Sequence, residues 1–355
     1  MHQVMIHPAT YDNVRQAVDR AFERFPLTVR GKTVLIKPNL LRASRADEGI
    51  VTHPAVLAAV VAKVETLGPA DIVVGDNPGM FSYGANEAAF EQTGLMAAAG
   101  GHYRNIGLDA VPMALHPDFM ETVTVSRAVV EADIVISLPK FKTHGLTVMT
   151  GAIKNSYGFL PGAQKARLHK RAGTPARFHD LVVKVFKLRV PDLIIMDAVV
   201  GMQGNGPASP DLRDIGLMLA SDNAVALDAV VATMMGLDPG RLRFLVKAAD
   251  AGLGSWETTD IRIDGRLETL SDFTLPPLGG EAIEGNTVIQ ELLASKIELV
   301  PQADPDGCTA CGTCVEQCPA QALSMTDDLP QVDMRRCVTC FCCQEICPEQ
   351  AMVLQ

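Results

Sequence analysis

The sequence predicts an α/β fold: a mostly parallel sheet with helices on both faces, followed by a small C-terminal α+β module. Three observations lead there. Apolar runs of strand length alternate with segments of helical period along the first part of the chain. Those runs are continuous and rich in β-branched residues, as in strands buried on both faces. All nine cysteines fall between Cys308 and Cys347, which sets the last stretch apart from the rest. A chain of 355 residues that is 48% hydrophobic can bury a large core, and its length suits two domains. We place an α/β substrate-binding domain at 1–300 and the cysteine-rich domain at 301–355.

The candidate strands in order are Thr33–Pro38, Asp71–Asp76, Asp133–Pro139, Asp192–Ala198 and Gly216–Ser221. Helical candidates begin at Pro54, Glu87 and Asn223. The first has Pro54 as a start signal after Thr52 and His53, and Gly68 as a stop. Ser255–Val300 is less periodic and reads as closing structure and linker. Ligands in open α/β sheets bind beyond the carboxyl ends of the strands. If all five strands point the same way, those ends gather Lys37 and Asn39, then Asp76, then Lys140, Lys142 and His144, then Asp197 with Gly204 and Gly206, and finally Asp222. Ordinary turn chemistry also places Asp, Asn and Gly after strands; it is their convergence that points to a site.

Charge is segregated along the chain. The formal net charge is −10, yet Ile136–His179 holds eight Lys or Arg, three His and no carboxylate. Apolar residues interleave with the basic ones, which suits a partly buried segment. Lys140, Lys142 and His144 alternate at period two and share a face in extended chain. Lys165 and His169, at i and i+4, share a helical face. Gly145, Gly151, Gly158 and Gly162 let backbone N–H groups approach an anion. Together with Lys154 and Asn155 these residues make an anion-pocket candidate, with His144, His169 and Lys142 as proton-handling groups. A solvated basic surface is the alternative.

Several classes are disfavoured. The acidic balance argues against general nucleic-acid binding. No run approaches the roughly 18 apolar residues of a membrane-spanning helix, and the N-terminus lacks signal-peptide character, so the expectation is a soluble cytoplasmic protein. The run Gly201–Pro207 lacks dinucleotide-loop spacing, and no phosphate-binding G-x4-G-K-[ST] occurs. His144, His169 and His179 lack tight metal-ligand spacing.

The tail repeats one pattern, C-x2-C-x2-C-x3-C-P, with a period of about 29 residues. Cys308, Cys311, Cys314 and Cys318 precede Pro319, and Cys337, Cys340, Cys343 and Cys347 precede Pro348. Paired knuckles for structural zinc are the alternative. The pattern resembles a bacterial two-cluster ferredoxin. That resemblance implies two [4Fe–4S] clusters, one on Cys308, Cys311, Cys314 and Cys347, the other on Cys337, Cys340, Cys343 and Cys318, each fourth ligand crossing over. Cys342 is an extra thiol, expected to fill space beside a cluster. The module holds eight acidic and two basic residues, which suits docking to a redox partner protein.

The large domain carries a second resemblance. "VLIKPNLL" with "THPAVL", "GDNPG", "LPKFKTHGLTVMTGAIKNSYGFLPGAQKARLH", and "DAVVGMQGNGP" followed by "SDNAVALDAVVATMMGLDP" are similar to the signature of domain-of-unknown-function family 362, over roughly Val34 to Pro239. Several members of that family carry a ferredoxin module. The resemblance implies an architecture and no settled reaction. The expected function is a ferredoxin-coupled, iron–sulfur reductase of a small anionic substrate. The alternatives are a non-catalytic electron carrier or accessory subunit whose basic segment is an exposed docking face, and a lyase or isomerase with structural clusters.

Overall fold

The computed structural model describes residues 1–79, 84–276, 300–337, 340 and 342–354. Its centre is a sheet of nine strands among the described residues. From one edge the order is Ile261–Asp264, His2–Pro8, Leu212–Ser221, Leu193–Met202, Ile134–Leu138, Thr33–Pro38 and Asp71–Val74. Lys140–His144 branches off beside Leu193–Met202 and pairs with Val148–Met149. The α/β class is therefore as the sequence predicts, with four of the five expected strands mutually parallel.

The fifth runs the other way. Leu212–Ser221 pairs antiparallel with both Leu193–Met202 and His2–Pro8. Ser221 stands opposite Ile194, near the amino end of its neighbour. Asp222 therefore lies at the far edge of the sheet from the other strand ends, and the expected convergence of all five does not include it. An apolar run specifies burial but carries no direction, so the sequence pattern could not reveal this reversal. Ser255–Val300 contributes an edge strand, Ile261–Asp264, parallel to His2–Pro8; its stretch 277–299 lies outside the described residues.

Two apolar cores flank the sheet because adjacent strand residues point to opposite faces. Leu35, Val73, Val135, Ile194 and Met196 face one. Val34, Ile36, Ile72, Ile134 and Ile195 face the other. The second is covered by helices Val14–Arg24 and Pro54–Thr66. The latter starts where His53 accepts a hydrogen bond from Ala55 N with Pro54 at its first position, and it buries Val56, Leu57, Val60, Val61 and Val64. The first core is covered by helices Pro175–Phe186 and Ala224–Met234. Thr174 caps the former and Asn223 the latter. A third, small core of Cys314, Leu323, Cys343, Cys347, Ala351 and Met352 belongs to the tail.

The basic segment folds between these layers. After Lys140–His144 it forms two short helical turns, Gly151–Asn155 and Ser156–Phe159, then helix Gln164–Ala172. Asp228, from the middle of helix Ala224–Met234, fixes the first turn by accepting from Ala152 N at 2.6 Å and Ile153 N at 2.9 Å. Gly151 has φ +61°, and a Cβ there would sit 2.6 Å from both Asp228 carboxylate oxygens. The close approach of that carboxylate requires glycine.

Candidate functional site

Helix Cys342–Ile346 of the tail packs over the carboxyl ends of the parallel strands, and a pocket lies between the two. The large domain lines it with Asn39, Asp76, Lys142, Thr150, Lys154 and Asn155, and with Tyr157, Lys165 and His169. The tail contributes Gln317, Cys342, Glu345 and Ile346. Two further contacts join the halves. His144 Nε2 lies 2.9 Å from Glu345 Oε1, and Gln344 Nε2 donates to Asn205 O at 3.2 Å.

The lysines divide by what holds them. Lys37 is fully buried and ion-paired to Asp76 at 2.8 Å. It also donates to Asn155 Oδ1 at 3.2 Å, and Asn155 donates onward to Ser137 Oγ. Lys37 thus braces two pocket-wall residues from behind and does not reach the pocket. Gly158 makes room for that brace, since a Cβ there would come 2.1 Å from Asp76 Oδ1. Lys142 lines the pocket but is 1% exposed and donates to Ile50 O at 2.6 Å. Burial, with Lys154 adding repulsion, pushes its pKa well below the ordinary lysine value. Lys165 donates to Asn77 O at 2.9 Å and also to Pro78 O. Burial lowers it to about 7, against the opposing pull of Asp76. Lys154 differs from all of these: among the described residues no hydrogen-bond or ion-pair partner meets its ammonium. Its contact is the Tyr157 ring, 6.0 Å to the centroid. Burial lowers its pKa, while Glu345 and Cys342 oppose that shift.

The two histidines have defined tautomers. His169 Nδ1 lies 2.8 Å from Lys165 O. A carbonyl can only accept, so Nδ1 carries the proton and Nε2 presents a lone pair. His144 is reversed: its Nδ1 accepts from Leu146 N and Thr147 N, leaving the proton on Nε2, towards Glu345. That approach is off the line of a straight hydrogen bond. Burial lowers His144 to about 3 and His169 to about 4, so both are neutral near pH 7. Burial alone would raise Glu345, but His144 and Lys154 outweigh it and hold the carboxyl down, at about 2.

Several expected site residues stand outside the pocket wall. Lys140 pairs with Asp197 at 2.8 Å and donates to Tyr11 OH at 2.9 Å, both charges being almost fully buried. Asp197 also accepts from His53 N, anchoring the start of helix Pro54–Thr66. A register shift between Lys140 and Lys142 breaks the regular alternation, so Lys140, Lys142 and His144 meet three different partners. His144 sits behind Glu345 and does not line the pocket. Gly204 turns with φ +70° beside Ser209 and Asp211, and Gly206 is pressed against Thr143; this loop reaches the pocket through Pro207. Asn39, Asp76, Asn155, Lys142, Lys154, Lys165 and His169 do converge. Sequence reasoning missed Thr150, Gln317 and Glu345. The last two come from the other domain and carried no local signal.

The cysteines form two groups. Cys308, Cys311, Cys314 and Cys347 ring one cavity, and Cys318, Cys337, Cys340 and Cys343 ring another. Among the described residues no three potential ligands converge on a point that could hold a single metal ion. The thiols surround spaces instead, which fits a cube of iron and sulfide. Cys342 faces the pocket, and Cys340 and His169 share a small crevice beside it.

A family profile described as domain of unknown function (DUF362) matches residues 34–233, more than half of the chain. The chain belongs to the DUF362 family. A second profile, a 4Fe–4S dicluster domain, matches 300–348, so the DUF362 domain is joined to an iron–sulfur, electron-transfer module of ferredoxin type. A Synechocystis protein named "Thylakoid-associated protein sll1697" is 34% identical over 235 residues, 63% of this chain and 69% of its own length. A Methanosarcina thermophila protein named "Probable ferredoxin" is 50% identical over 30 residues, 8% of this chain and 52% of its own. Among solved structures, the lactate racemase apoprotein of Thermoanaerobacterium thermosaccharolyticum aligns with a TM-score of 0.43 at 11% identity, and a Thermotoga maritima protein with 0.37 at 12%. Those alignments cover 66% and 69% of this chain and 57% and 59% of the other chains. No helix among the described residues is long and apolar enough to cross a membrane.

Proposed function

We propose that this protein is a ferredoxin-coupled reductase that binds a small anionic substrate between its two domains. The observation that carries the reading is the Lys154 ammonium, without a hydrogen-bond or ion-pair partner among the described residues, in a pocket partly walled by chain neighbours of cluster-ligand cysteines. Gln317 precedes Cys318, and Cys342 lies between Cys340 and Cys343. Two [4Fe–4S] clusters would occupy the two cysteine-ringed cavities, and each supplies single electrons when bound. Cys318, Cys337, Cys340 and Cys343 would hold the one next to the pocket; Cys308, Cys311, Cys314 and Cys347 would hold the one beyond.

The chain's own groups supply the rest. Lys154 receives the anionic group and offsets charge gained on reduction. Lys165, with a pKa of about 7, is populated in both protonation states near neutrality and suits a proton donor. His169 Nε2 is an acceptor, and orients the ligand; it is not the acid expected from sequence. Helix Cys342–Ile346 and the apolar Leu40, Leu41 and Ile346 limit water. Lys140, Lys142 and His144 are at most 1% exposed, which weighs against an exposed basic docking face and so against the accessory-subunit alternative.

The test is anaerobic reconstitution followed by reductant-dependent turnover on a library of small anions. Reoxidation of the reduced clusters by a subset of the library is expected. Fully loaded protein that no compound reoxidises would speak for the electron-carrier alternative. Truncation at about Pro301 separates the lyase alternative, because only a reductase must lose turnover with its clusters.

A further inference from the structure

We infer that the pocket's ligand is a small carboxylate that also bears a hydrogen-bond donor, a hydroxyl or ammonium group, next to the carboxylate. This rests on the pocket reading above and narrows it from anions in general. The argument is the balance of donors and acceptors in the wall. Among the described residues one cation without a hydrogen-bond or ion-pair partner, Lys154, faces the space, which matches one negative group. Against it stand, among the described residues, five buried polar atoms without hydrogen-bond partners: Asn39 Oδ1, Thr150 Oγ1, His169 Nε2, Gln317 Oε1 and Glu345 Oε1. Thr150, His169 and Gln317 are 3%, 7% and 7% exposed.

Four of the five can only accept, and one of these, Glu345 Oε1, is a carboxylate oxygen already 2.9 Å from His144 Nε2. Asn39 donates through Nδ2 to Asn155 Oδ1 at 3.1 Å, which fixes the other end as its carbonyl oxygen. His169 spends its one proton on Lys165 O. Gln317 Oε1 is a carbonyl oxygen, and the Thr150 hydroxyl can serve either way. Buried acceptors left unpaired cost free energy until a donor reaches them. A ligand that displaces water without replacing its hydrogen bonds loses affinity. Inorganic phosphate has one or two O–H donors near neutrality but would still set its remaining oxygens against acceptors, and an unsubstituted carboxylate would use Lys154 and leave the acceptors unmet. A donor beside the carboxylate meets both demands. A site built to hydrogen-bond a substrate O–H or N–H discriminates strongly against the analogue that lacks it.

The experiment is calorimetric titration of the oxidised, cluster-loaded full-length protein with butyrate, 2-hydroxybutyrate, 2-aminobutyrate and inorganic phosphate. No electron moves in this measurement, so its outcome is separate from whether any compound supports turnover. At least one donor-bearing compound is expected to bind tenfold or more tightly than butyrate, with phosphate weaker than that compound. Thr150→Val and Gln317→Leu each remove one of these atoms and should narrow the ratio several-fold, because the donor-bearing compound loses a partner while butyrate no longer leaves that atom unmet. The clusters' visible absorption serves as the folding control. Butyrate equal to or tighter than both analogues overturns the inference. So does phosphate as the tightest ligand, or no measurable binding by either donor-bearing compound.

Discussion

Lys140 and Lys154 are both lysines of the basic segment, and their surroundings predict opposite consequences of removing them. Lys140→Met would strand the buried Asp197 carboxylate, and a broken buried pair costs about 3–5 kcal/mol. A lower denaturation midpoint is expected, restored only in part when Asp197→Leu is added, because His53 N and Val199 N then lose their acceptor. Lys154→Gln breaks no ion pair, so stability should stay within about 0.5 kcal/mol of the parent. Ligand affinity should fall tenfold or more by calorimetry, with iron content unchanged. Lys165 sets the pH dependence. Its folded pKa of about 7 lies below the ordinary 10.5, so between those values the native state binds fewer protons than the unfolded one. Its contribution to stability therefore rises with pH across that window. Anion affinity should run the other way, weakening as pH climbs through 7 and the ammonium discharges. Lys165→Met should flatten that profile; an unchanged profile would contradict the assignment. The i, i+4 spacing made Lys165 and His169 legible as a pair in the sequence. Lys154 was legible as one anion-pocket candidate among several, but what sets it apart was not, because lacking a partner is a property of what surrounds it.

Among the elements, the turn Gly151–Asn155 carries both Lys154 and Asn155, and Asp228 holds its backbone. Gly151→Ala would force a Cβ into that carboxylate at a positive φ. A loss of about 1–3 kcal/mol is expected from the backbone conformation alone, with weakened ligand binding because Lys154 shifts. The paired cysteine runs predict a crossed dependence. Cys347→Ser should damage the cluster of the Cys308–Cys314 run, since Cys347 closes that cavity, while Cys337→Ser damages the other. Iron analysis with electron paramagnetic resonance distinguishes the two; loss of the same signal in both variants would contradict the crossover. The ferredoxin resemblance implied the cysteine sets, and the apolar pattern made most strands readable. The reversal of Leu212–Ser221 was not, because strand direction follows from its pairing partners, and so Asp222 was misplaced.

At the scale of the whole molecule, the domains share one site. The large domain brings its cations to the sheet's carboxyl edge, and the tail brings Gln317, Glu345 and the cysteine ring against them. Local pattern could not foresee contacts such as His144 with Glu345, about 200 residues apart, which exist once the domains pack. The most direct test of that arrangement is electron paramagnetic resonance of the reduced, cluster-loaded protein, titrated with the tightest-binding carboxylate. The account predicts that ligand alters the signal lost in Cys337→Ser and leaves the signal lost in Cys308→Ser unchanged, and that Lys154→Gln abolishes the effect. A bound ligand that perturbs neither signal, or perturbs the Cys308 signal alone, would contradict it.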